Sequence, residues 1–444
     1  MKITSLIITL LALAATTVTA IGQERTTSLN IEHPRTPVVP YSTASGANNS
    51  DVTAVRYALP IENSEWVEGR SMEGSTFSVQ FEAPFSWTGR QSLIYIENAS
   101  SPYVVEVDGV EVGRVYNSSM PAQFNVTRHM VRDGKTPITI SFLEGTPAEE
   151  LEGWKRATNP MLGEVMMLSQ PAMYIRDVAI TSNYSHGMIN STIAIAVKSE
   201  SLNGRTSRIN YELLSPLGAT AATGFSDITL DMRGEDTIRV FVVTPDSMAW
   251  SAQNPNLYRL NVSTQHRGRF IEYLSFDLGV RSIESGQRGD IIINGVSEPI
   301  KAAKVAPNVE LNRVAELKSL GYNTLKVDAG AYNAELFRYA DSTGLYLIAT
   351  APINSSKSGD DTLVGGNPTN DPDRCSEYIE RVDALYHTTK LHPSVIAYSI
   401  AEQSLNGINL YESYLHLKAR ELQRPIIYED CNGEWNSDRL SVNY

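Results

Sequence analysis

Residues 392–407 read HPSVIAYSIAEQSLNG. The run from Ser394 to Ile400 is apolar and rich in β-branched side chains, and it stops abruptly at Ala401-Glu402-Gln403-Ser404. A short apolar run of this kind suits a strand buried on both faces, as in a parallel sheet covered by helices. Its polar end is where such a strand delivers side chains to a pocket.

The flanking sequence repeats the pattern. PIKAAKV (299–305), YNTLKVD (322–328), LYLIATAP (345–352), PIIYED (425–430) and LSVNY (440–444) are further strand-like runs. Amphipathic stretches such as NVELNRVAELKSLG (308–321) and NAELFRYADSTG (333–344) stand between them. Strand and helix in alternation mean parallel strands with crossover helices. About six strands precede Tyr444, whereas a closed eight-stranded barrel needs two more units. Residues 285–444 are therefore expected to form an incomplete (β/α) TIM-type barrel. Its first strand and LSVNY would both be sheet edges, which a partner protein, a second copy or a rearranged sheet should cover. A chain that is itself a fragment is the competing explanation.

Upstream the pattern is all β. STFSVQFEAP, YVVEVDGVEVGRV and TPITISFLEG alternate apolar and polar residues within 51–171, and Val107-Asp108-Gly109-Val110 signals a tight hairpin. INSTIAIAVKSES, DTIRVFVVTP, LYRLNVSTQ and IEYLSFDLG do the same within 172–284, with the number and spacing of an immunoglobulin-like sandwich. Residues 21–50, rich in Pro, Ser, Thr and Asn, are expected to be a flexible, exposed leader. Met1-Lys2 followed by SLIITLLALAATTVTA reads as a secretory signal over 1–20, too short for a membrane span. The expectation is an exported protein, periplasmic, cell-surface or extracellular, without a transmembrane segment.

A net charge of −13 argues against nucleic acid as a partner. Cys375 and Cys431 are compatible with a disulfide or with two separate thiols. No HExxH or CxxC spacing occurs, so neither a protein-built metal site nor a cofactor is expected.

Several motifs together resemble glycoside hydrolase family 2, in its β-galactosidase branch, from about Trp66 onward. SPYVVEVDGVEVGRVYNSSMPAQFNVT (101–127) is similar to the family's sugar-binding-type jelly roll, and YIRDV (174–178) to its linker strand. WSAQNPNLYRLNV (250–262), FDLGVRSIE (276–284) and HPSVI (392–396) are similar to its later signatures. The resemblance implies a jelly-roll β-sandwich, an immunoglobulin-like β-sandwich and a barrel that hydrolyses β-galactosides through two carboxyl groups.

The pocket positions depart from the family. Lys304 to Pro307 replace an Asn-Arg-His-Glu run; Ala329 and Gly330 replace His and Tyr. Ala349, Thr350 and Asn354 replace acidic residues. Glu402 stands at the family's asparagine, and Gln403 at its general acid/base. Glutamine hydrogen-bonds but cannot transfer a proton. The family's nucleophile lies on a strand beyond this chain. No catalytic residue is therefore assigned; Glu402 is a substitute acid, and Glu429 and Trp435 are candidate sugar contacts, with Trp154 a further aromatic candidate. The expected function is an exported pseudoenzyme acting as a scaffold or interaction protein. A carbohydrate-binding protein without turnover and a weak β-galactosidase-type hydrolase are the alternatives.

Overall fold

The computed structural model describes residues 27–49, 57–72, 74–154 and 159–444; the expected signal at 1–20 lies outside them. The first unit is a sandwich of two antiparallel sheets. One orders the strands Val67–Arg70, Ser75–Glu82, Lys135–Phe142, Tyr103–Val107 and Val110–Val115; the other Ala58–Pro60, Val165–Gln170, Gln91–Ile96 and Ala122–Asn125. Strict alternation along TPITISF aims Ile138, Ile140 and Phe142 inward, against Ile94, Tyr103 and Phe124. The hairpin lies at the expected place: Asp108 and Gly109 both have positive φ, 52° and 73°, which matches the twist of the paired strands.

The second unit packs a three-stranded sheet (Met173–Ser185, Met188–Ser199, Glu235–Pro245) on a four-stranded one (Thr220–Leu230, Arg205–Leu214, Tyr258–His266, Arg269–Leu278). These seven strands are the complement of an immunoglobulin-like sandwich.

The third unit is a six-stranded parallel half-barrel with its helices on the outside. Its first five strands are Ile300–Val305, Thr324–Val327, Tyr346–Thr350, Val395–Ser399 and Ile426–Ile427. The sixth, Val442–Asn443, does not follow the fifth. It crosses to pair in parallel with the first strand, Ile300 opposite Val442. The first strand is therefore internal, contrary to the expectation that it forms an edge, whereas Val442–Asn443 is an edge as expected. The outer edge of the fifth strand is also hydrogen-bonded. Asp438 accepts from Ile426 N at 2.8 Å and donates its own amide to Ile426 O at 2.7 Å.

The N-terminal (bottom) end of the barrel is bolted to the second unit. Trp250 is fully buried among Ile283, Ile291, Ile300 and Tyr346, and its indole N–H donates to Asp341 O at 2.8 Å. The buried Arg281 guanidinium donates to the carbonyls of Pro393 and Val395, both at 2.6 Å. Asp341 accepts from His392 Nδ1 at 2.6 Å, Ser394 N at 3.1 Å and Ser394 Oγ at 2.6 Å. The His-Pro-Ser preceding the fourth strand is thus a structural clamp, at the opposite end from its pocket residues.

Residues 27–49 differ from a loose leader. They have little regular structure beyond a short helix, Ala44–Asn49, yet they run as a strap along all three units. Leu29 bridges Arg114, Thr36 N donates to Asp177 at 3.2 Å, Tyr41 bridges Tyr273 and Ser28 N donates to Glu380 at 2.8 Å. An extended chain with few internal hydrogen bonds offers its amides and carbonyls to neighbouring strands, and they are used here. Among the described residues no helix is long and apolar enough to cross a membrane. Cys375 and Cys431 are both free, half-buried thiols.

Candidate functional site at the barrel mouth

In the second barrel strand Leu325 and Val327 face the helix layer, so Lys326 between them points into the lumen, where it is 2% exposed. A buried ammonium is stable only with a partner. Glu429, just past the fifth strand, supplies it: Lys326 Nζ lies 2.5 Å and Lys304 Nζ 3.2 Å from Glu429 Oε2, and the Tyr444 hydroxyl donates to the same carboxylate. Burial opposes ionisation of Glu429, but the hydrogen bonds from Lys326, Tyr444 and Lys304 outweigh it and hold the carboxyl below its usual range. These donors keep it ionised and its proton affinity low, so it is not suited to donate a proton.

A second carboxyl group, Asp328, ends the second strand. Burial, then repulsion from Glu402, pushes it up to about 6 against the pull of Lys326 and Lys304. Glu402 is half-buried; its Oε2 accepts from Ala329 N at 2.9 Å, and its charge helps to raise the neighbouring Asp328. A raised carboxyl is often a general acid. Retaining hydrolysis also needs a second carboxyl about 5–5.5 Å away across the scissile bond. Asp328 was missed in the sequence; its signal was an acidic residue closing an otherwise apolar run.

Gln403 lies past the end of the fourth strand, so strand alternation does not set its direction. It adopts a left-handed conformation, φ 44°, and is exposed, while Glu402 turns inward toward Asp328. Trp435 is 57% exposed and packs on Tyr411 and Tyr414 of the helix Ile408–Lys418, with ring centroids 5.0 and 6.1 Å away. It is not among the residues lining the cavity between the first sandwich and the barrel loops.

Trp154 is. The cavity, of about 710 Å³, lies between the first sandwich and the loops after the first two barrel strands, lined by Trp154, Asn98, Ser119, Pro307, Gly330 and Tyr332 among others. Gly330 is needed there because a Cβ would sit 2.9 Å from Pro307 Cγ. The wall is fixed from below. Glu152, two residues before Trp154, forms a buried ion pair with Arg381 at 3.1 Å, and Gly153 N donates to Asn354 O at 2.7 Å. Glu97, Glu164 and Glu335 line the cavity against a single arginine, Arg338, so it is acidic.

Comparison with known proteins agrees with this architecture. Residues 297–444 match "Glycosyl hydrolases family 2, TIM barrel domain" and residues 173–281 match "Glycosyl hydrolases family 2", which together span more than half of the chain. The chain belongs to glycoside hydrolase family 2. Among its relatives, a β-galactosidase of Psychromonas ingrahamii is 23% identical over 397 residues, and one of Pectobacterium atrosepticum 25% identical over 406. Each alignment covers 85% of this chain but 37% of the relative, so the chain spans little more than a third of their length. A β-glucuronidase of Bacteroides uniformis shares the fold with a TM-score of 0.68 at 13% identity, over 90% of this chain and 52% of that one. A family 2 member of Bacteroides cellulosilyticus does so at 0.65 and 14%, over 81% and 51%.

Proposed function

We propose that this family 2 homologue is an exported, non-hydrolytic protein that serves as a scaffold or interaction partner. One observation carries the proposal: the barrel mouth is filled by the Lys304–Lys326–Glu429 ion cluster and the Asp328–Glu402 carboxyl pair, while Gln403 faces solvent. Glu429 is held by three donors, and Gln403, which cannot transfer a proton, stands where the resembling family has its general acid/base. A surface for a partner is at hand. Glu235–Pro245 is an edge strand, and Phe241 and Val243 on its outer face are 76% and 60% exposed. The test is hydrolysis of nitrophenyl β-galactoside and β-glucuronide by the full-length protein. Release no faster than in buffer supports the proposal; turnover that Glu402→Gln abolishes overturns it.

The cavity around Trp154 favours a second reading, a carbohydrate-binding protein without turnover. An aromatic face with amide and hydroxyl neighbours suits a sugar ring. The acidic lining selects a neutral glycoside over a uronate. In calorimetry, saturable binding of a galactoside that is lost in Trp154→Ala supports this reading; silence removes it.

A further inference from the structure

Outside the barrel mouth, three chain segments far apart in sequence bring histidines onto one buried carboxylate. His33 comes from the strap, Asp383 and His387 from one face of the third barrel helix (Cys375–Thr389), and His416 from the fourth (Ile408–Lys418). We propose that His33, Asp383 and His387 form a binding site for a zinc-class divalent cation, which fastens the strap to the outer wall of the barrel.

The spacing supports this. One ligand atom from each residue lies within 4.8 Å of the other two. His33 Nε2 is 3.6 Å from Asp383 Oδ2, and His387 Nε2 is 3.8 Å from Asp383 Oδ1. Tetrahedral zinc with bonds of about 2.0–2.1 Å requires edges near 3.3 Å, so the three side chains must draw together on binding. Asp and His four apart on a helix present their ligand atoms on one side.

The surroundings orient the ligands as metal sites do. His33 Nδ1 lies 2.9 Å from Pro34 O. A carbonyl only accepts, so Nδ1 carries the proton and Nε2 offers its lone pair toward Asp383. His416 Nε2 at 2.9 Å and Arg420 Nε at 3.4 Å engage Asp383 Oδ1, which leaves Oδ2 facing His33. His387 Nδ1 is 3.1 Å from Lys390 Nζ and 3.7 Å from Asp177 Oδ2. Lys390 Nζ donates to His387 Nδ1 here, so a cation on Nε2 requires Lys390, already ion-paired with Asp177, to turn from the ring and let an Nδ1–H face Asp177. His33 is 53% exposed, so a fourth position opens to solvent. The site has no counterpart in the HExxH and CxxC spacings a sequence search looks for, because one ligand lies some 350 residues upstream of the other two.

The experiment is titration of untagged, chelator-treated full-length protein with Zn²⁺ by calorimetry at pH 7.5, together with the thermal midpoint. The expected result is saturable binding at one ion per chain and a rise in midpoint when Zn²⁺ is added. His33→Ala, on the exposed strap, should weaken binding at least tenfold, as should His387→Ala; His186→Ala, on a remote exposed turn, should not. Absence of saturable binding, or binding that His33→Ala leaves unchanged, overturns the proposal.

Discussion

At the lower end of the barrel, Trp250, Arg281 and Asp341 hold the second unit, the third strand and the fourth strand together through buried, fully directed contacts. At the upper end, the positions that line a sugar pocket in the family carry lysines, small residues and an exposed glutamine. The two ends of one strand, Val395–Ser399, show the contrast: His392-Pro393-Ser394 before it matches the family, and Glu402-Gln403 after it does not. In a barrel, residues below serve stability and residues above serve chemistry. The lower end is thus fixed by packing and directed hydrogen bonds, and the upper end carries the Lys304–Lys326–Glu429 ion cluster beside two neighbouring acids, Asp328 and Glu402.

Substitutions at the two ends should therefore behave differently. Trp250→Ala should have the largest effect, about 3–5 kcal/mol of unfolding free energy in a denaturant titration, because it empties a fully buried site and orphans Asp341 O. Gln403→Ala, by contrast, should stay within about 0.5 kcal/mol. A smaller loss, about 2 kcal/mol, is expected for Lys326→Met. It leaves Glu429 without its buried partner, though Lys304 and partial exposure soften the effect. Adding Glu429→Leu should return stability close to wild type. If the double variant is no better than the single one, the ion cluster has a role beyond charge balance.

The pH dependence of the mouth provides a finer test. Asp328 binds its proton more tightly folded than unfolded, since it sits at about 6 against an ordinary value of 3.8. Stability from this group is present at low pH and is lost as pH rises from about 4 to about 6. Asp328→Asn should consequently gain stability relative to wild type between pH 4 and pH 7, read as the difference in thermal midpoints. An equal difference at both pH values would show that neither burial nor Glu402 raises this carboxyl in the folded protein.

Much of this architecture was legible in the chain. Alternation in TPITISF, the Asp-Gly hairpin and the apolar runs separated by amphipathic helices lead directly to two sandwiches and a parallel half-barrel. Local pattern could not reveal where the sixth strand goes, because Val442–Asn443 is two residues long and its partner is chosen by packing of Leu440 and Val442 on Ile300 and Ile348. The strap was opaque for a similar reason: its hydrogen bonds go to other units, so nothing in its own sequence records them. At the mouth, Gln403 was visible as a missing acid. That Lys326 pairs with Glu429, and that Glu402 helps to raise Asp328, depends on contacts between strands distant in sequence.

The most direct measurement is intact mass of the full-length protein after incubation with an activated 2-fluoro-galactoside, which traps the glycosyl intermediate of a retaining hydrolase. An unchanged mass is expected, since the described barrel mouth offers no attacking carboxylate opposite a proton donor. A stable increment of one fluoro-sugar, mapped to Glu402, Glu429 or Asp328, would contradict it.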